Sequence, residues 1–199
     1  MGKRVRHYIY RLDHDTGFAP HVAGGLCMLS GCKVSTIEAW QTVGKGSWIV
    51  GIGGNNTGKP DKLIYAMEVE ERIPCIAFKR KYPAESRYLR RGRAGENVLV
   101  STNFYYFGDK AVDLPEDLQH IIVRTQGCNR VYDCDVETLK AFLAVWHRPG
   151  ITGKPNNIAR VDRGCAGHED RKFSAYMAGS GLNEKSARRI CTTESERGC

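Results

Sequence analysis

Cys27 stands six residues after His21 in the glycine-rich stretch "HVAGGLC". An imidazolium beside a thiol lowers its pKa and produces a thiolate nucleophile, so this pair is a candidate catalytic couple. The alternative for Cys27 is a small buried hydrophobe. The other cysteines sit in loosely spaced sets, Cys27 and Cys32, Cys128 and Cys134, and Cys165 with His168. Structural zinc uses tighter, matched pairs. A zinc site here would draw on Cys128, Cys134, Cys165 and His168; no metal and no cofactor are expected. "GGNNTGK", residues 53–59, has the spacing of a phosphate-binding loop. It lacks the Ser or Thr that holds magnesium, and Pro60 and a strand pattern follow where a helix is needed. The segment reads as a hairpin connection.

Charge points to a different chemistry. Of the net +8, the 22 residues from Arg72 to Arg93 carry +7, with eight cations against Glu85 alone. Lys79, Arg80, Lys81, Arg87, Arg90, Arg91 and Arg93 are interleaved with Tyr82 and Tyr88, a pattern suited to phosphates and to stacking on bases or sugars. A concentrated patch of one sign marks a polyanion partner. A second feature is the run Phe104–Tyr105–Tyr106–Phe107. On a strand, Phe104 and Tyr106 share one face and Tyr105 and Phe107 the other. One pair is expected in the core. The other pair is left between core and ligand wall, where Tyr105 or Tyr106 would add a hydroxyl to a stacking ring.

The elements that position these groups follow from periodicity. "VRHYIYRL" reads as a first strand ending near Asp13, and "TGFAPHVAGGLCMLSGCK" as a long structured loop. "STIEAWQTVG" reads as a short helix with Ser35 or Thr36 as N-cap, and "GSWIVGIGG" as a buried strand. "LIYAMEVEER" has the clearest period of two in the chain. "NVLVSTNFYYFG" and "LQHIIVRT" read as further strands. "DVETLKAFLAVW" is an amphipathic helix capped by Asp135, with Val136, Leu139, Phe142, Leu143 and Trp146 on one face. Residues 1–155 are expected to form one domain and 156–199 a polar appendage, partly disordered. Free thiols are the expectation for the eight cysteines in a chain of this size. No run reaches the roughly 18 apolar residues of a membrane span, and the basic N-terminus runs straight into a strand pattern; a cytoplasmic protein is expected.

Several ordered blocks, "DTGFAPHVAGGLCMLSGCK", "GSWIVGIGG…LIYAMEVEE" and "VLVSTNFYYFGDKAVDLP", resemble the nucleotide-modification-associated domains of the second type. The resemblance covers about residues 7–155. It departs from the family's pattern at His21, where Asn is usual, and at Ser47, where Asp is usual. It implies phage or bacterial systems that make, remove or recognise modified DNA bases, whether in modification or defence. The element order also resembles the PUA-like group with its EVE and YTH branches, which implies an α+β fold: a mixed β-barrel with short peripheral helices. By that analogy a base sits between the loop after the first strand and the strand beginning at Gly46, near Asp13, Phe18, His21, Trp48 and Asn55.

Two functions follow from these readings. The first is a binding module that recognises a modified base or nucleotide in nucleic acid, DNA by preference. Phe18, Trp48 and one face of the aromatic run would form its wall, and the basic segment would hold phosphates. The second is an enzyme acting on such a base, with Cys27, His21 or Asp13 as the reacting group. An acidic protein partner for the basic segment is a third possibility. Oligomeric state is not legible.

Overall fold

The computed structural model describes residues 5–17, 19–30, 43–88, 97–125 and 127–156. The first strand, β1 (His7–Leu12), runs parallel to β4 (Trp48–Gly53), with Ile9 opposite Val50 and Leu12 opposite Gly53. Between them in sequence lies a hairpin, β2 (His21–Ala23) and β3 (Leu26–Ser30). β5 (Leu63–Glu68) pairs antiparallel with β4, and the chain continues through β6 (Glu71–Pro74) into helix α1 (Cys75–Lys81). β7 (Asn97–Ser101), β8 (Phe104–Tyr106) and β9 (Cys128–Val131) follow, then helix α2 (Asp133–Trp146) and β10 (Gly150–Ile151). Two sheets result, a mixed one in the order β10-β8-β5-β4-β1-β9 and an antiparallel one in the order β2-β3-β7-β6.

The β5–β6 and β7–β8 segments form one bent ribbon that passes from the first sheet into the second. Hydrogen bonds fix the bend. Asn103 Nδ2 donates to Glu68 Oε2 at 2.8 Å, and the Glu70 carboxylate accepts from both the backbone N–H and the hydroxyl of Thr102. Strands that switch sheets at a bend are the usual corner of a crossed β-sandwich. Among the described residues the ladders do not close into a barrel.

Strand alternation sorts the core into three layers. Tyr8, Tyr10 and Leu12 of β1, Tyr65 and Met67 of β5, and Phe104 and Tyr106 of β8 face Cys27, Leu29 and Leu99 of the second sheet. The opposite face of the first sheet, with Ile9, Trp48, Val50, Tyr105 and Phe107, packs on Val136, Leu139 and Leu143 of α2. The outer face of the second sheet, with Leu26, Met28, Val98 and Val100, lies under Cys75 and Phe78 of α1. All four rings of the 104–107 run are therefore buried, one pair in each of two layers.

Several sequence expectations are corrected. "TGFAPHVAGGLCMLSGCK" is not loop throughout but contains the β2–β3 hairpin. "NVLVSTNFYYFG" is two strands in different sheets. "LQHIIVRT" is no strand: Pro115 and the acids Glu116 and Asp117 open a 3-10 turn, Glu116–Ile121, that buries Leu118. Helix α2 starts at Asp133 with Tyr132 at its N-cap, ahead of the expected cap Asp135. Trp146 is 72% exposed rather than part of the apolar face. The helix ends there, and the next ring, His147, takes the inner position, with its centroid 4.8 Å from Phe107 and 5.2 Å from Phe142. The hairpin reading of "GGNNTGK" holds: residues 54–62 join β4 to β5 through a 3-10 turn, Asn55–Thr57. The helix expected over 35–44 lies largely outside the described residues, as does the appendage from residue 157 onward.

Candidate functional site

Because β1 and β4 are parallel, the loops that leave them emerge at the same end of the sheet. Gly54 N–H donates to Leu12 O at 2.8 Å and ties the two exits together. The contact needs glycine: a Cβ on Gly54 would lie 2.5 Å from Leu12 O, and one on Gly53 would lie 2.0 Å from Lys59 O. The first loop carries Asp13, His14 and Asp15. The second carries Asn55, Asn56 and Asp61.

Their side chains interlock. Asn56 Nδ2 donates to Asp13 Oδ1 at 2.8 Å, and His14 Nδ1 lies 2.7 Å from Asp13 Oδ2. Arg11 bridges to the second loop through Asp61 Oδ1 at 2.5 Å and Asn55 Oδ1 at 3.2 Å, and holds Val123 O at 3.1 Å. Asn55 and Asp61 are exposed, and Asp13 and His14 half-buried, so the group presents donors and acceptors to solvent.

Beneath this surface lies Asp15, only 1% exposed. Tyr106 donates its hydroxyl to Asp15 Oδ1 at 2.7 Å. Asn156 donates its backbone N–H to Oδ2 at 3.1 Å, and its side-chain amide at 3.4 Å. Burial pushes the Asp15 carboxyl above the ordinary carboxylate value; the bonds from Tyr106, Asn156 and the Gly17 N–H oppose that shift, and the charge of Asp109 adds to it. The segment 153–156 is strapped down alongside. Lys154 and Asp109 exchange hydrogen bonds at 2.8 and 3.0 Å, and a Cβ on Gly17 would fall 2.8 Å from Pro155 Cγ. One pair of hydroxyls lies in the same core: Tyr65 donates to Tyr10 at 2.8 Å. The loop from 13 to 17 is thus built on buried polar anchors rather than on its own turns.

The sequence candidates are distributed unevenly around this arrangement. Asp13 and Asn55 come together at the exits of β1 and β4, and Tyr106 reaches the loop from below through Asp15. Trp48 and Tyr105 face the other way, into the layer under α2. His21 donates through Nδ1 to Gly17 O at 2.8 Å, since a carbonyl can only accept. Cys27 is not brought to His21. In the β2–β3 register His21 opposes Met28 and Val22 opposes Cys27, so the thiol and the imidazole project from opposite faces. The thiol is fully buried, 3.6 Å from Met67 Sδ, and burial pushes its pKa well up, which disfavours a thiolate. Cys27, Cys75, Cys128 and Cys134 are all free. Among the described residues no group of three metal-ligating side chains converges. Phe18, Arg90, Arg91 and Arg93 lie outside the described residues, and Arg87 is placed only by its backbone, in the 3-10 turn Glu85–Tyr88.

Of the basic segment, Lys79 and Arg80 stand exposed on α1 and make no ion pair among the described residues. Lys81 is engaged: its Nζ lies 2.5 Å from Glu71 Oε1 and 5.2 Å from the Tyr82 ring centroid. The hydrogen bond with Glu71 raises the lysine pKa and lowers that of the carboxyl. Asp15 is the residue that sequence reading missed. Its only signal was an acid placed between a strand end and Gly17, in "DHDTG".

Residues 4–86 and 78–162 match the sequence profile of nucleotide modification associated domain 2. The chain belongs to this family. Both loops at the strand exits, the strap at 153–156 and helix α1 fall inside the matched region, and the family ties the chain to nucleotide modification. Ser47 is fully buried, and its hydroxyl accepts the Arg6 N–H at 3.0 Å. No curated protein and no solved structure matches the chain. No helix among the described residues is long and apolar enough to cross a membrane.

Proposed function

We propose that this domain is a binding module for a modified base or nucleotide in nucleic acid, DNA by preference, working in the cytoplasm within a phage or bacterial modification or defence system. The observation that carries the reading is the pair of interlocked loops at the exits of the parallel strands. They present Asp13, His14, Asn55 and Asn56 on a framework fixed from below by Asp15 and Tyr106. A base edge is read by such a fixed mixture of donors and acceptors, because mobile groups lose the discrimination to entropy. Exposed Lys79 and Arg80 would add sequence-independent affinity for phosphate. The sandwich with a sheet-switching ribbon is compatible with a PUA-like relative whose barrel is incomplete.

One observation favours an enzyme instead: the Asp13–His14 contact at 2.7 Å, in which a carboxylate can orient an imidazole. The two readings separate in one experiment. The full chain is incubated with matched duplexes, plain and carrying hypermodified pyrimidines, binding is measured, and the nucleosides are then digested and weighed. Selective binding with unchanged masses supports the module. A mass change lost in His14→Gln makes it an enzyme.

A further inference from the structure

Helix α2 covers the first sheet with Val136, Leu139 and Leu143, and its opposite side faces outward. A helix that covers a sheet normally turns charged residues to water. Here the charge stops halfway. Asp133 and Glu137 are exposed in the first two turns, but from Thr138 to Trp146 every exposed residue is uncharged: Thr138, Ala141, Ala144, Val145 and Trp146. Lys140, half-buried on the flank, is tied back to Glu137 at 2.9 Å. Val145 and Trp146 are each 72% exposed. Just past the helix end, Arg148 is exposed and makes no ion pair among the described residues.

The outward positions form a seam. Cys134, Thr138, Ala141 and Val145 follow one another at spacings of four, three and four, on the side opposite the buried stripe of Val136, Leu139 and Leu143. That is the spacing by which one helix lies along another, and side chains this small allow a close approach. The order of charges along the seam selects the occupant. Acids come first, uncharged residues next, and a cation last. Rotated about a two-fold axis beside Ala141, the same seam brings Thr138 level with Ala144, and Arg148 level with Cys134 beside Asp133. The Asp133 carboxylate is 89% exposed and touches only His7, at 3.4 Å. An antiparallel copy is therefore complementary to the seam, whereas a parallel copy would set like charges side by side. Nucleic acid fits the uncharged stretch poorly, since its affinity comes from cations.

We infer that the outward face of α2 is a two-fold interface with a second copy of this chain. The helices run antiparallel and cross at Ala141, and Arg148 of each copy pairs with Asp133 of the other. A helix of 14 residues is about 21 Å long, so the contact belongs to the small class of interfaces and the dimer is reversible, in the micromolar range. The interface lies on the far side of α2 from the sheet and is independent of base reading at the strand exits.

The test is sedimentation equilibrium of the full chain from micromolar to near-millimolar concentration, in reductant because Cys134 is exposed. A monomer–dimer equilibrium is expected. Val145→Glu, which sets a charge in the uncharged stretch, should weaken it at least about tenfold. Arg148→Glu and Asp133→Arg should each weaken it about fivefold, since two ion pairs per dimer become repulsions, and the double variant should return close to the parent. All three positions are exposed, so thermal melts of the monomers should stay close to that of the parent. A chain that stays monomeric over the whole range overturns the interface. A dimer that Val145→Glu leaves intact places the contact elsewhere and overturns it too. Single variants that weaken the dimer without recovery in the double variant overturn the antiparallel pairing, and the proposal with it.

Discussion

Replacing Tyr106 by Phe removes one oxygen from a fully buried ring and leaves its packing unchanged. That oxygen donates at 2.7 Å to the buried carboxylate of Asp15. A hydrogen bond to a charged group contributes about 1.5–3 kcal/mol, and nothing in the phenylalanine variant replaces the donor. For a domain of this size a loss of 1 kcal/mol lowers Tm by about 2–4 °C, so the variant should melt roughly 3–12 °C below the parent at pH 7. The deficit should depend on pH with a defined sign. Burial raises the Asp15 pKa above 3.8, and the tyrosine bond opposes that rise. Ionised Asp15 therefore costs stability progressively as pH climbs from the unfolded value through the raised folded value. Without Tyr106 the cost is larger, so the gap between variant and parent widens above that window and narrows toward pH 4. Tyr105→Phe is the control: its hydroxyl makes no hydrogen bond among the described residues, and the change should stay within about 0.5 kcal/mol. The assay is urea and thermal unfolding of both variants from pH 4 to 8. Equal stability of the two variants, or a gap that is flat with pH, would refute the claim that Asp15 is ionised and held by Tyr106.

Three further outcomes are expected. Gly51→Ala should destabilise by about 2–4 kcal/mol, because its Cβ would lie 2.2 Å from the ring of fully buried Tyr65 and force that ring off the Tyr10 hydroxyl; urea unfolding measures it. His7 accepts the Trp48 N–H at 2.9 Å through Nδ1, and burial lowers its pKa below 6.5. Stability should therefore fall as pH drops from 6.5 through the lowered value, and His7→Asn, whose amide oxygen can still accept, should flatten that slope in unfolding curves between pH 5 and 7.5. Lys79→Ala/Arg80→Ala should reduce the slope of log K for duplex DNA against log salt by about 1.8, and a salt series measures it; an unchanged slope removes α1 from the phosphate contacts.

Sequence legibility followed how each segment is covered. α2 was readable because one face is core and the pattern repeats with the helix period. β1, β4 and β5 are covered on both faces and were legible as apolar runs bounded by turn residues. The β3 strand is covered on both faces too, with Leu26 and Met28 under α1 and Cys27 and Leu29 between the sheets, but its five residues sit between Gly24–Gly25 and Gly31, so the stretch read as loop. The same double coverage settles Phe104 to Phe107, whose composition fits a ligand wall as well as a core. Trp48 and Tyr106 were grouped as one wall, yet the pleat puts them on opposite faces of one sheet, and only strand register reveals that. Asp13 and Asn55 do come together, but parallel pairing of β1 with β4 across 35 intervening residues is long-range information. Asp15 was invisible for a related reason: its partners Tyr106 and Asn156 lie 91 and 141 positions away.

The central claim is that the loops leaving β1 and β4 read a base. Its most direct test is the ratio of affinities for matched duplexes, modified and plain, measured at one salt concentration for the parent chain and for Asn55→Ala. The account predicts preference for the modified duplex in the parent and its collapse in Asn55→Ala, with affinity for plain duplex nearly unchanged. Equal, salt-sensitive binding to both duplexes by the parent would contradict it and leave only the basic helix as a nucleic-acid contact.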